Sequence, residues 1–230
     1  MAKHIGIVAC SSEGAALCYR TICREGEKYM GRLDHPEVTM HTHSLGKYEK
    51  CFYGGANWKG VAKLMLSSTD KLLRAGADFV ICPDNTIHQA FIMVIENSPL
   101  PWLHIAEEVA KEAESRGFKK LGILGTKYLM EGPVYPEKLV PRGIEFMVPE
   151  KEDREKINQI IFDELVKGIL KNESWRYFVK IIENFKENEC DAVVLGCTEI
   201  PLLIDDTTSP LPTLDSTRIL ARAALKKAVE

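Results

Sequence analysis

Residues 3–8 read Lys-His-Ile-Gly-Ile-Val, and residues 119–124 read Lys-Lys-Leu-Gly-Ile-Leu. Each is a short, continuously apolar run, which predicts a strand that is covered on both faces of a parallel sheet. A second pair of similar segments follows: residues 77–86 read Ala-Asp-Phe-Val-Ile-Cys-Pro-Asp-Asn-Thr, and residues 190–199 read Cys-Asp-Ala-Val-Val-Leu-Gly-Cys-Thr-Glu. The number of residues that separates the first segment from the second is nearly the same in both halves. The sequence therefore predicts an internal duplication.

The first half alternates predicted strands with predicted helices. Strands are expected at residues 5–8, 38–44 and 79–82, and apolar spacing predicts helices over residues 15–29 and 61–75. Parallel strands need crossover connections, which helices supply. The predicted fold class is α/β, with two pseudo-symmetric lobes that each hold a parallel sheet flanked by helices. Because ligands bind beyond the carboxyl ends of such strands, we expect the active site between the lobes.

The end of the chain departs from the duplication. After the Pro-Leu-Pro break at residues 210–212, an amphipathic helix is predicted over residues 214–229, and nothing equivalent follows the first half. We expect this helix to pack against the first lobe. The predicted domains are residues 1–104 with residues 212–230, and residues 105–211.

Composition narrows the classes of function. The chain has 230 residues, 33 acidic and 30 basic side chains and 45% hydrophobic residues, so it has enough apolar material for a core. The net charge of −3 and the scattered basic residues argue against nucleic acid and membranes as partners. No apolar run approaches the roughly 20 residues of a transmembrane helix. The chain has seven cysteines, which is an odd number, and no Cys-x-x-Cys pair. This pattern suits a reducing compartment, so we expect a cytoplasmic protein.

Two polar segments at predicted strand ends are candidates for chemistry. Residues 196–199 read Gly-Cys-Thr-Glu, and backbone N–H groups at such a strand end are expected to favour a Cys197 thiolate that serves as a base or nucleophile. The matching segment of the first half begins at Asp84. Its amide and hydroxyl groups, with the backbone N–H groups, suit a small carboxylate ligand. The predicted ligand-binding residues in these two segments are Asn85, Thr86 and Thr198.

Further hydroxyl groups lie where the first strand of each half ends. Ser11 and Ser12 follow the first strand of the chain, and Thr126 follows the strand at residues 119–124. Each offers a hydroxyl and a backbone N–H group to an anion. We predict that all three contribute to substrate binding.

Neither a metal site nor a second thiol is predicted. His41 and His43 share one face of a strand, but no acidic or cysteine partner stands at a recognisable metal-ligand spacing. Cys82 is two positions before Asp84, about 6.5 Å further down the strand. We therefore expect Cys82 in the core, below the site.

Several segments together closely resemble the aspartate/glutamate racemase family. The resemblance covers nearly the whole chain in the right order, and the Gly-Cys-Thr-Glu motif is specific within the family. The segments that carry the resemblance are residues 85–88, 121–127 with Tyr135, 142–146, 160–168, 196–203 and 215–218.

The resemblance implies a cofactor-independent amino-acid racemase, usually a homodimer. In that family a cysteine at the strand end of each lobe flanks the α-carbon of the substrate, so that one thiolate removes the α-proton and the opposite thiol returns it. Donors around the carboxylate stabilise the carbanion, and pyridoxal phosphate is then dispensable. The expected substrate is an amino acid, with an acidic one favoured.

The chain departs from the family at Asp84, which stands where the family has its first cysteine. An unperturbed aspartate has a pKa near 3.9, against about 8.5 for cysteine, so its carboxylate is the weaker base. Cys197 is then the thiol acid–base group, and Asp84 is an acid, a base or a binding group. Two alternatives follow: a single-cysteine decarboxylase of the malonate type, and a catalytically silent module that binds carboxylates.

Overall fold

The structure is a computed structural model that describes residues 2–52 and 57–230. The chain divides into two compact units, Met1–Glu108 with Thr217–Glu230, and Val109–Ser216. Each unit contains one parallel sheet with helices packed on it. The predicted α/β class with two parallel sheets is confirmed.

The first sheet has three described strands, β1 (Ile5–Ala9), β2 (Val38–Thr42) and β3 (Phe79–Ile81), in the order β2-β1-β3. Both neighbours of β1 run parallel to it. Every residue of β1 is buried, which explains its continuous apolar character, whereas β2 at the edge is half-exposed. The strands predicted from the apolar runs are present within a few residues of their expected ends.

Six α-helices, described here within residues 2–52 and 57–230, lie between β1 and the first strand of the second sheet along the chain. Gly26 separates the first two of them, although the apolar spacing predicts one helix over residues 15–29. A Cβ atom at Gly26 would lie 2.5 Å from the Cβ of His35, so the close approach of the following chain requires glycine where the first helix ends. The helices are α1 (Ser12–Glu25), α2 (Glu27–Met30), α3 (Leu45–Phe52), α4 (Trp58–Arg74), α5 (Phe91–Ile95) and α6 (Ile105–Ser115).

The second sheet repeats the topology of the first and adds one strand. Its strands are β4 (Lys120–Leu124), β5 (Glu145–Met147), β6 (Ala192–Leu195) and β7 (Thr213–Asp215), all parallel, in the order β5-β4-β6-β7. The first three have the same chain order and sheet order as β1, β2 and β3. The shared topology is what the predicted duplication requires.

The helices of the second unit bury one face of its sheet. Ile157 and Ile161 of one helix and Phe178 and Phe185 of another form a core with the apolar side chains of β6. A Cβ atom at Gly122 would overlap the ring of Phe185, so glycine in β4 lets this helix pack closely. The helices are α7 (Lys127–Met130), α8 (Pro136–Leu139), α9 (Lys151–Asp163) and α10 (Asn172–Glu187).

The last helix, α11 (Ser216–Val229), packs on the first sheet. Its Leu220 and Leu225 share a core cluster with Ile5 and Ile7 of β1, as expected for the end of the chain. The prediction that this helix begins at residue 214 is wrong, because Leu214 lies in β7 and pairs with β6. Among the described residues, no helix is both long and apolar enough to cross a membrane.

Candidate functional site

Gly196 places the cysteine of the Gly-Cys-Thr-Glu segment directly beyond the end of β6. The Gly196 N–H donates to the carbonyl oxygen of Leu124, the last residue of β4, at 2.7 Å. A Cβ atom at position 196 would lie 2.7 Å from the same oxygen and 2.6 Å from Cδ2 of Leu129. Only glycine fits, and the close contact between the two strand ends determines where Cys197 lies.

A buried carboxylate is bound to the thiol of Cys197. The Sγ of Cys197 donates to Oε2 of Glu199 at 3.0 Å, and the Thr198 hydroxyl donates to the same oxygen at 2.8 Å. Cys197 is 8% exposed and Glu199 is 3% exposed. Glu199 is not among the predicted site residues, although the motif places it two positions after the cysteine.

The surroundings of Cys197 differ from the expected thiolate-favouring strand end. The helix that follows is a single 3-10 turn, Ile200–Leu202, and the Ile200 N–H donates to the carbonyl oxygen of Cys197 at 3.1 Å. The sulfur contacts the carboxylate of Glu199. In this contact the sulfur is the hydrogen-bond donor and the carboxylate is the acceptor.

Asp84 follows β3 and is half-buried. Its Oδ1 accepts a hydrogen bond from the Ile87 N–H at 3.2 Å, so the side chain caps the 3-10 helix Thr86–Ala90. A backbone N–H donor stabilises the charged form of a carboxyl group. Asp84 therefore has a local structural role as the acceptor of the Ile87 N–H.

His88, which lies in the same segment, contacts the backbone of Asp84. It is not among the predicted site residues. Its Nδ1 lies 2.7 Å from the carbonyl oxygen of Asp84, and its Nε2 accepts from the Ile105 N–H at 3.4 Å. These two contacts require a neutral ring with its proton on Nδ1. The ring is 3% exposed and stacks on Phe91, so the imidazole is a rigid support for this strand end.

The other predicted binding residues of these two segments lie beside the candidate acid–base groups. Asn85 and Thr86 are buried next to Asp84, and the carbonyl oxygen of Asn85 accepts from the His88 N–H at 3.2 Å. Thr198 is buried next to Cys197. The residues of the first segment thus follow β3, and those of the second segment follow β6.

Two of the three further hydroxyl groups are helix N-caps. The Ser11 Oγ accepts from the Gly14 N–H at 3.2 Å and caps α1, while the Thr126 Oγ1 accepts from the Leu129 N–H at 3.2 Å and caps α7. Ser12 is exposed in the first turn of α1.

Cys82 lies in the core, as expected. It is fully buried beside Tyr48 and Cys10 in the apolar cluster of the first unit. Burial raises the pKa of the Cys82 thiol, and the nearby Asp84 raises it further. Cys82 is therefore a protonated thiol at neutral pH.

The two histidines of β2 and the turn after it have other partners. The Lys71 ammonium donates to Nε2 of His41 at 2.9 Å, and Nδ1 of His41 lies 3.0 Å from the Ser68 hydroxyl. Burial lowers the pKa of His41 and of His43, and the charge of Lys71 lowers both further. Within residues 2–52 and 57–230, no group of three or more His, Cys, Asp or Glu side chains is arranged to hold a metal ion.

Comparison with known proteins identifies a family with this fold. The model of the Asp/Glu/hydantoin racemase family matches residues 7–224. The solved structure of an aspartate racemase homologue from Pyrococcus horikoshii OT3 superposes with a TM-score of 0.85 at 32% identity, covering 99% of this chain and 100% of that one.

Curated relatives match over shorter stretches. The broad specificity amino-acid racemase RacX of Bacillus subtilis is 26% identical over 166 residues, which are 71% of this chain and 70% of that protein. Glutamate racemase 3 of Caldanaerobacter subterraneus is 31% identical over 168 residues, 70% of this chain and 57% of its own length.

Proposed function

The chain belongs to the Asp/Glu/hydantoin racemase family and is an isomerase of the racemase type, and from this premise we propose that it inverts the α-carbon of an acidic amino acid without a cofactor. The observation that carries the proposal is the thiol of Cys197, buried at the end of a central strand in hydrogen-bond contact with a proton acceptor. A thiol in that setting is a group of suitable basicity for an α-proton once it is ionised.

The chemical step is a proton transfer at the α-carbon. The Cys197 thiolate takes the α-proton, and the electron pair of the broken C–H bond passes into the adjacent carboxylate. Hydrogen-bond donors around that carboxylate stabilise the charge that develops there. We assign these donors to Asn85, Thr86, Thr198, Thr126, Ser11 and Ser12. Ser11 and Thr126 support this assignment by their place, since each is buried at the helix N-terminus that follows the first strand of its unit.

Asp84 is proposed as the second acid–base group, which returns a proton to the opposite face of the carbanion. Its carboxylic acid is the stronger proton donor and its carboxylate is the weaker base, by about 6 kcal/mol for unperturbed groups. The two directions of racemisation then have unequal kcat values and unequal KM values. Because the equilibrium constant for racemisation of one centre is unity, the two kcat/KM values stay equal.

The same proposal includes a homodimer in the cytoplasm. The family resemblance supports the dimer, and seven cysteines without a disulfide support a reducing compartment. Light scattering at micromolar protein concentration tests the dimer. A particle of 25.9 kDa would contradict it.

Deuterium exchange tests the proposed reaction. The protein is incubated in deuterated water with each enantiomer of aspartate and of glutamate, α-deuterium is read by NMR, and the enantiomers are separated by chiral chromatography. Exchange with inversion is expected for at least one acidic amino acid, and its loss in Cys197→Ser shows that it depends on the thiol. Release of carbon dioxide from a malonate-type acid would support a decarboxylase instead. Protection of Cys197 from iodoacetamide by a carboxylate without exchange would support a binding module.

A further inference from the structure

We propose that Glu199 is the proton partner of Cys197: its carboxylate takes the thiol proton when the sulfur becomes a base. This inference rests on the proposed function, because it names the group that activates Cys197. It assigns a role to the last residue of the Gly-Cys-Thr-Glu segment.

The geometry places a proton between the two groups. The Sγ of Cys197 and Oε2 of Glu199 are 3.0 Å apart, which is short for a hydrogen bond from sulfur. Both side chains are buried, at 8% and 3% exposure, so water competes little for the bond. The proton of Cys197 therefore needs to move only along one existing hydrogen bond to reach the carboxylate.

Charge conservation favours a shared proton. A thiolate and a carboxylate in contact would place two negative charges in a buried site that must also accept an anionic substrate. The two groups that donate to Oε2, a thiol and a hydroxyl, are neutral and do not offset a second charge. If Glu199 holds the proton while Cys197 is ionised, the pair has the same single negative charge before and after the thiolate forms.

The step balances in atoms and electrons. The S–H bond of Cys197 breaks, its electron pair stays on sulfur, and an O–H bond forms at Oε2 of Glu199. The thiolate then takes the α-proton of the substrate, and the electron pair of the C–H bond moves into the substrate carboxylate. Cys197 and Glu199 now hold two protons between them, and the loss of one to solvent restores the starting state. Glu199 touches the reacting sulfur and does not contact the substrate carbon.

The pH dependence of Cys197 alkylation tests this proposal without any substrate. The native protein and Glu199→Gln are treated with iodoacetamide from about pH 5 to about pH 10, and modification of Cys197 is quantified by mass spectrometry of its peptide. A shared proton makes the native rate pH-independent over a plateau, followed by a second rise when the last proton leaves. Glu199→Gln keeps the shape and an oxygen acceptor but cannot take the proton. Its rate should fall about tenfold per pH unit below a single midpoint, with no plateau.

Two further variants separate the proton role from a structural one. Glu164 is another carboxylate of the same unit that accepts from a hydroxyl, that of Ser174. The control variant Glu164→Gln should keep the native plateau. Thr198→Val removes the second donor to Oε2 of Glu199, which makes the carboxylate a better acceptor, so the plateau should rise several-fold. This variant tests the pair even if Glu199→Gln fails to fold. An unchanged or lower plateau in Thr198→Val, or the same profile in the native protein and in Glu199→Gln, overturns the proposal.

The test distinguishes this proposal from the proposed function. A plateau that depends on Glu199, in a protein that exchanges no amino acid, keeps the proton pair and rejects the racemase. If the protein exchanges an amino acid but its alkylation profile does not depend on Glu199, the racemase is kept and the proton pair is rejected. If both hold, Glu199→Gln should lower kcat at least tenfold near neutral pH and recover as the pH rises, because hydroxide then removes the thiol proton.

Discussion

The guanidinium of Arg222 in α11 donates to both carboxylate oxygens of Glu25 in α1, with N–O distances of 2.9 to 3.2 Å. The pair joins the last helix of the chain to the first. Hydrogen bonds from Arg222, with a smaller effect from Lys28, lower the pKa of Glu25 to about 2. The contact therefore links the docking of α11 to the charge of one carboxyl group.

This ion pair predicts a loss of stability in acid. The folded pKa of Glu25 lies below its unfolded value of about 4.3, so the contribution is present above that value and is lost as the pH falls towards 2. Arg222→Gln should lower the free energy of unfolding by about 0.5–1 kcal/mol at pH 7, because the pair is partly exposed. Urea denaturation at pH 7 and at about pH 2 measures the difference, which should be clearly smaller in acid. An equal difference at both pH values would contradict the prediction.

Cys197→Ser should abolish exchange of the α-proton, because a serine hydroxyl is far too weakly acidic to supply a base at neutral pH. Cys23→Ser, which removes a partly exposed thiol of α1, is the matched control and should keep native exchange. Unchanged circular dichroism shows that both variants fold. Full activity of Cys197→Ser would refute the proposed mechanism.

Asp84→Asn should lower turnover at least tenfold while leaving the fold intact. The amide oxygen of asparagine still accepts from the Ile87 N–H, so the cap survives and only the charge and the titrating proton are lost. Kinetics in D₂O for both enantiomers measure the effect. Native kinetics would show that Asp84 only caps the helix.

Asp84→Cys introduces the cysteine that the family resemblance implies at this position but removes the acceptor for Ile87. The lost cap should cost about 1 kcal/mol of stability, measured by urea denaturation. We also expect lower turnover of the native substrate, since the backbone of this strand end loses a hydrogen bond that orients it. A rise in racemisation would indicate that matched basicity matters more than this cap.

Gly196→Ala should destabilise the protein by about 1–3 kcal/mol, because the added methyl overlaps the carbonyl oxygen of Leu124 and the side chain of Leu129. Gly46→Ala is the control: its Cβ atom would meet nothing within 4 Å, and it lies in α3, where alanine favours the helix. Thermal denaturation of the two variants should therefore give opposite shifts in Tm. Equal shifts would show that the close contact of the strand ends is not required.

The central strands were predictable from local sequence. β1 and β4 are buried on both faces, so nearly every residue in them is apolar, and that pattern is visible without a structure. β7 was not predictable, because its three residues become a strand only by pairing with β6. The need for glycine at position 26 depends on tertiary packing in the same way, since the chain at His35 lies against it.

The sequence by itself determined the α/β class, the duplication and the placement of Asp84 and Cys197 at strand ends, because these follow from apolar runs and from repeated local motifs. Only the tertiary structure decided what the polar groups at those ends contact. The hydroxyl oxygens of Ser11 and Thr126 accept from backbone N–H groups, and the carboxylate of Glu199 turns back to the Cys197 sulfur. Outside regular helices and strands, side-chain direction depends on the path of the backbone and on packing, and spacing along the chain does not encode it.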